Sequence, residues 1–111
     1  MKLVFVLIAL LVIAANVTAA PKKVRVLLWS EQTEPRNIYP NGISGALADY
    51  LNKLPEFDAK TATLEDPDSG VSDEVLAQKD VVIWFGHRKH AQVPDAAVDR
   101  INKHVNERGM G

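Results

Sequence analysis

Cysteine is absent from this chain, which excludes a disulfide scaffold, a thiolate zinc site and a thiol-linked lipid anchor within it and leaves the redox compartment open. A dominant sign of charge is also lacking: 13 basic residues face 14 acidic ones for a net charge of −1, and no like charges gather in a block. A strongly basic nucleic-acid binder and a polybasic membrane binder are therefore not expected. At 111 residues there is no room for a two-domain enzyme. A glycine-rich phosphate loop, a nucleophile elbow, a catalytic Ser/His/Asp order and a hairpin signal are missing too.

Long apolar runs are missing everywhere except at the start. Met1 and Lys2 precede an unbroken apolar stretch from Leu3 to Ala15, and a small, more polar tail runs from Asn16 to Ala20. This pattern predicts a secretory signal peptide over 1–19, cut after Ala19, and hence a secreted or periplasmic protein. An uncleaved anchor is the alternative. A bilayer-spanning helix needs roughly 20 apolar residues, so the short run argues for cleavage and against stable membrane insertion afterwards.

The remainder, 20–111, alternates strand and helix. Val24 to Trp29 reads as a buried strand. Ile43, Ala46, Leu47, Tyr50, Leu51 and Leu54 fall on one helical face, with Asn41 placed to cap the start and Pro55 to stop the run. Phe57 to Leu64 mixes β-formers with charge and suits an edge strand. Glu65 to Gly70 is turn-rich, and Ser72, Asp73 and Glu74 start a short helix running to about Gln78. Val81 to Phe85 is the most apolar segment and is expected to be an interior strand. After Pro94, Ala97, Val98, Ile101 and Val105 repeat at helical spacing up to a cap at Gly109.

The order β-α-β-α-β-α without hairpins predicts an α/β three-layer sandwich with a parallel flavodoxin-like sheet. In the common strand order Val24 to Trp29 lies between the other two strands, and a fourth strand covers the far side of Val81 to Phe85. No fourth apolar run precedes Gly111, so the expectation is the N-terminal half of a longer domain.

Open parallel sheets bind ligands at the carboxyl ends of their strands. Those ends are Ser30 to Glu34, Glu65 to Asp68 and Gly86 to His90. His87 and His90 can act there as metal ligands or as a general acid/base pair, or they are plain polar loop residues. Two imidazoles make only part of a zinc site, with Glu31 or Asp66 as further donors. Trp29 and Trp84 end adjacent strands and form either a stacking wall for a sugar ring or core packing. Arg88 and Lys89 hold an anion or serve solubility. His104, near a helix C-terminus, reads as structural, with a partly charged ring suited to the macrodipole.

Several stretches resemble the trehalose-utilisation (ThuA-like) family. They are Ile38-Tyr39-Pro40-Asn41-Gly42-Ile43, Thr61-Ala62-Thr63-Leu64, the run from Trp84 through Gly86-His87-Arg88-Lys89-His90 to Val93, Asp99-Arg100-Ile101 and Gly109-Met110-Gly111. The resemblance covers nearly all of 22–111. It implies a class I glutamine amidotransferase-like fold and a role in carbohydrate utilisation, acting on oxidised (keto) disaccharides or glycosides. It also implies that Glu31, His87 and His90 match positions of the family's cleft, which makes them the candidate catalytic residues; Trp29, Trp84 and Asp66, from their places at the strand ends, are the candidate substrate contacts. The expected partner is a small sugar, zinc is a candidate cofactor, and homo-oligomerisation stays open. A non-catalytic carbohydrate-binding domain and an inactive fragment are the alternatives. Ser44 departs from the family pattern, where many members carry a histidine, and the family's His-Ser-Gly-His turn would follow Gly111.

Overall fold

The computed structural model describes residues 18–111, so the expected signal peptide lies almost wholly outside the described residues. The elements are β1 (Val24–Ser30), α1 (Gly42–Leu51), β2 (Phe57–Thr63), α2 (Asp73–Ala77), β3 (Val81–Phe85) and α3 (Asp95–Arg108). Short 3-10 turns at Pro67–Gly70 and His90–Gln92 complete the set. The strands form one parallel sheet in the order β2-β1-β3. This is the α/β architecture expected from the alternation of strand and helix, with β1 in the centre and β2 at an edge.

β1 sits in the middle because both alternate sets of its side chains are apolar. Leu27 and Trp29 enter a core with Val71, Leu76, Ala97 and Met110, under α2 and α3. Val26 and Leu28 enter a second core with Ala48 and Ala59, under α1. Successive strand residues point to opposite faces, so one seven-residue strand feeds two layers.

The far side of Val81–Phe85, where a fourth strand is expected, has no strand among the described residues. Among the described residues β3 is the second edge of the sheet, and Ile83 and Trp84 are 41% and 37% exposed. Its outer edge meets Gly111, whose N–H donates to the Asp80 carbonyl at 3.0 Å and whose carbonyl accepts from the Val82 N–H at 2.8 Å. A continuous apolar run reports that both faces of a strand suit burial. It carries no information on how many strands flank it.

Helix boundaries follow local chemistry. Ser72 caps α2 through its hydroxyl, which accepts from Val75 N–H at 3.2 Å. Gly109, at φ 67°, ends α3 in the left-handed region expected there. α1 stops at Leu51, short of Pro55, and Asn52 beyond it bridges both the N–H and the carbonyl of Ala59. Asn41 precedes α1, but its side chain makes no capping bond.

Candidate functional site at the carboxyl rim of the sheet

Just past β1 the chain turns sharply through Gln32, whose φ of 54° is left-handed. The Ser30 hydroxyl secures this turn by accepting the Gln32 N–H at 2.9 Å and donating to Glu34 Oε1 at 3.0 Å. The turn sends two carboxylates inward. Glu31 is 2% exposed and Glu34 is 7% exposed.

Each carboxylate closes a different gap in the backbone. Glu31 Oε1 accepts the Arg88 N–H, and Oε2 accepts the Lys89 N–H at 2.7 Å. The Thr33 hydroxyl donates to Oε1 at 2.9 Å. Burial by itself would raise the Glu31 pKa. The backbone N–H groups of Arg88, Lys89 and His87, with the Thr33 hydroxyl, outweigh it and hold the group down to about 2. Glu31 is therefore an ionised clamp that ties the loop after β3 to the loop after β1.

Glu34 performs the capping expected of Asn41. Its Oε1 accepts the Ile43 N–H at 2.6 Å, placing a negative charge at the start of α1. Burial opposes ionisation here too, but the backbone and Ser30 hydrogen bonds and the nearby Arg36 charge leave its pKa below the ordinary value. A Cβ added at Gly42 would lie 2.7 Å from Glu34 Oε1, so Gly42 leaves room for the carboxylate. The spacing of nine residues from Glu34 to Ile43 lies outside any local capping motif, which is why the sequence offers no signal for it.

The two rim histidines line different cavities. His87 and Arg88 line a cavity of about 310 Å³ shared with Thr33, Tyr39, Ile43 and Phe85, on the α1 side of the sheet. The His87 ring lies 6.5 Å from the Phe85 ring. His90 lines a separate groove of about 430 Å³ with Val82, Trp84, Val93, Ile101 and Val105, on the α3 side. A zinc site needs three or four protein ligands, and among the described residues no group of three or more His, Asp or Glu side chains gathers to hold a metal.

The two indoles stack with ring centroids 3.6 Å apart and planes within 5°. Trp29 is only 1% exposed and its Nε1–H donates to the Ser69 carbonyl at 2.8 Å, so it belongs to the core and cannot touch a ligand. Trp84 alone opens onto the α3-side groove. Asp66 accepts the Thr63 N–H at 2.8 Å and lines a third cleft, beside α2 and away from His87. His104 is buried, as its structural reading required. Arg108 Nε donates to its Nδ1 at 2.8 Å, and its Nε2 lies 3.1 Å from Asp73 Oδ1.

Of the expected site residues, His87 and Arg88 line the rim cleft, and Glu31 supports it from below. No protein-family model matches the chain, and no curated protein sequence matches it.

Proposed function

We propose that this protein is an exported carbohydrate-handling domain, akin to the ThuA-like family that its sequence resembles. In this reading the cleft between the β1–α1 and β3–α3 connections takes a small sugar. The observation that carries it is the Glu31 clamp. A buried carboxylate bound to the Arg88 and Lys89 N–H groups keeps the loop in one shape, so that His87 and Arg88 line a fixed cleft at the carboxyl rim. Loops held by a rigid scaffold are where α/β sheets place ligand contacts. The Thr33 and Tyr39 hydroxyls and the Arg88 guanidinium supply hydrogen bonds to sugar oxygens, Phe85 supplies an apolar flank, and His87 is the cleft's general acid/base group.

Titrating the protein with trehalose and a keto-disaccharide, followed by backbone and histidine NMR, tests this directly. The expected shifts fall at Thr33, Tyr39, His87 and Arg88, and Arg88→Ala weakens binding at least about tenfold, the loss of a charged hydrogen bond. Absence of binding at millimolar sugar, or shifts confined to other faces, would overturn the reading.

A second reading is favoured by the separation of His87 from His90, which leaves the rim cleft with a single imidazole. The domain then binds the sugar without converting it. Product formed from a keto-glycoside and lost in His87→Ala excludes this form, whereas binding with no product supports it.

A further inference from the structure

Beside α2 and the outer edge of β2 lies a cavity of about 490 Å³, whose lining does not include His87 and which the rim reading leaves untouched. We propose that Lys79 is a carbonyl-reactive lysine at this cleft, whose amine forms a Schiff base with a small hydroxylated aldehyde or ketone. Lys79 is only 9% exposed and lines the cavity. Lysines are rarely buried to this degree without a partner. Among the described residues no carboxylate lies within ion-pair distance of its Nζ, and since no fully buried side-chain nitrogen among them lacks a partner, the amine reaches the open side of the cleft.

The backbone that presents this amine is held from both sides. The Lys79 N–H donates to the Leu76 carbonyl at 3.0 Å, and its own carbonyl accepts from Arg108 Nη2 at 3.2 Å. Leu27 and Val75 supply apolar wall, and Thr61, Ser72 and Glu74 supply polar groups suited to the hydroxyls of such a carbonyl compound. Burial favours the neutral amine, and the charges of Lys60 and Arg25 push the same way, against Asp58 and Asp80. Asp66, Asp68 and Glu74 complete the charged groups lining the cleft. A desolvated lysine beside a second cation is a known arrangement for activating an amine toward carbonyls.

The chemistry balances without oxidant or reductant. Neutral Nζ attacks the carbonyl carbon, the C=O π pair moves to oxygen, and a proton passes from nitrogen to that oxygen to give a carbinolamine. The C–O bond then breaks as the hydroxyl takes a proton and leaves as water. The nitrogen lone pair forms C=N, and loss of the remaining N–H proton yields the neutral imine.

Reductive trapping provides the test. The intact protein is incubated with glyceraldehyde and cyanoborohydride at neutral pH, and modified lysines are mapped by mass spectrometry over time. Lys79 is expected to react at least about tenfold faster than the exposed Lys53 and Lys103, a preference that denaturant abolishes. Lys60→Gln slows Lys79 while Lys53 keeps its rate, and His87→Ala changes neither, which separates this site from the rim cleft. Lys79→Arg removes the fast adduct. If Lys79 in the native protein reacts no faster than Lys53, burial merely shields it and the proposal fails.

Discussion

Glu31 and Glu34 stand three positions apart, both buried and both ionised, yet each holds a different part of the chain. For Glu31 the pKa of about 2 lies below the unfolded value of roughly 4.3. A depressed carboxylate pKa contributes stability that is present above the unfolded value and lost as pH falls toward the folded one. Unfolding midpoints measured from pH 6 down to pH 2 should therefore fall through that window, and Glu31→Gln should flatten this part of the profile. The same variant should speed hydrogen exchange at Arg88 and Lys89, the amides it holds. Glu34→Ala removes the cap of α1 and should cost about 1 kcal/mol by denaturant titration, with faster exchange at Ile43.

Between β2 and α2, Asp68, Ser69 and Gly70 adopt left-handed backbone with φ of 52°, 56° and 72°. For the two non-glycine residues this costs roughly 1–2 kcal/mol each, so neighbouring elements must hold the turn. From β1, Trp29 Nε1–H reaches the Ser69 carbonyl, and from α3, Arg100 donates to the carbonyls of Val71 at 2.8 Å and Asp68 at 3.2 Å. Gly70 and Gly109 share a positive φ but differ in surroundings. A Cβ at Gly70 would meet Ala62 Cβ at 2.7 Å and the Thr63 carbonyl oxygen at 3.0 Å, whereas at Gly109 nothing lies within 4 Å. Gly109→Ala should thus cost about 1 kcal/mol, the left-handed penalty alone. Gly70→Ala should cost clearly more in the same denaturant titration, the excess measuring the clash.

Across the whole molecule β1 couples the two cores, because its alternate side chains belong to opposite layers. Leu28 and Leu76 are 1% and 0% exposed, on opposite faces of the sheet. Truncating either to alanine should cost about 2–5 kcal/mol, and probes on both faces should report one coincident unfolding transition in each variant. Separate transitions would show that the layers unfold independently. At its N-terminal end the sheet is fastened by Arg25 and Asp80. The Arg25 Nη2–Asp80 Oδ1 contact is 2.7 Å, and the Arg25 side chain and N–H hold the Asp80 carboxyl well below the usual carboxylate range.

Periodicity alone determined the order of strands and helices, the Ser72 and Gly109 caps and the apolar faces that form the cores, because each depends on near neighbours in the chain. The carboxyl rim was legible for a related reason: parallel strands joined by crossovers put all three following loops at one end. That His87 and His90 line different cavities of that rim was visible only in three dimensions. The same holds for Glu31, whose partners lie 57 and 58 residues away, for Glu34 as a distant cap, and for the burial of Trp29 against the exposure of Trp84. Sequence spacing encodes local geometry, whereas the side of a sheet a group faces and the amide it reaches are set by packing between segments far apart along the chain.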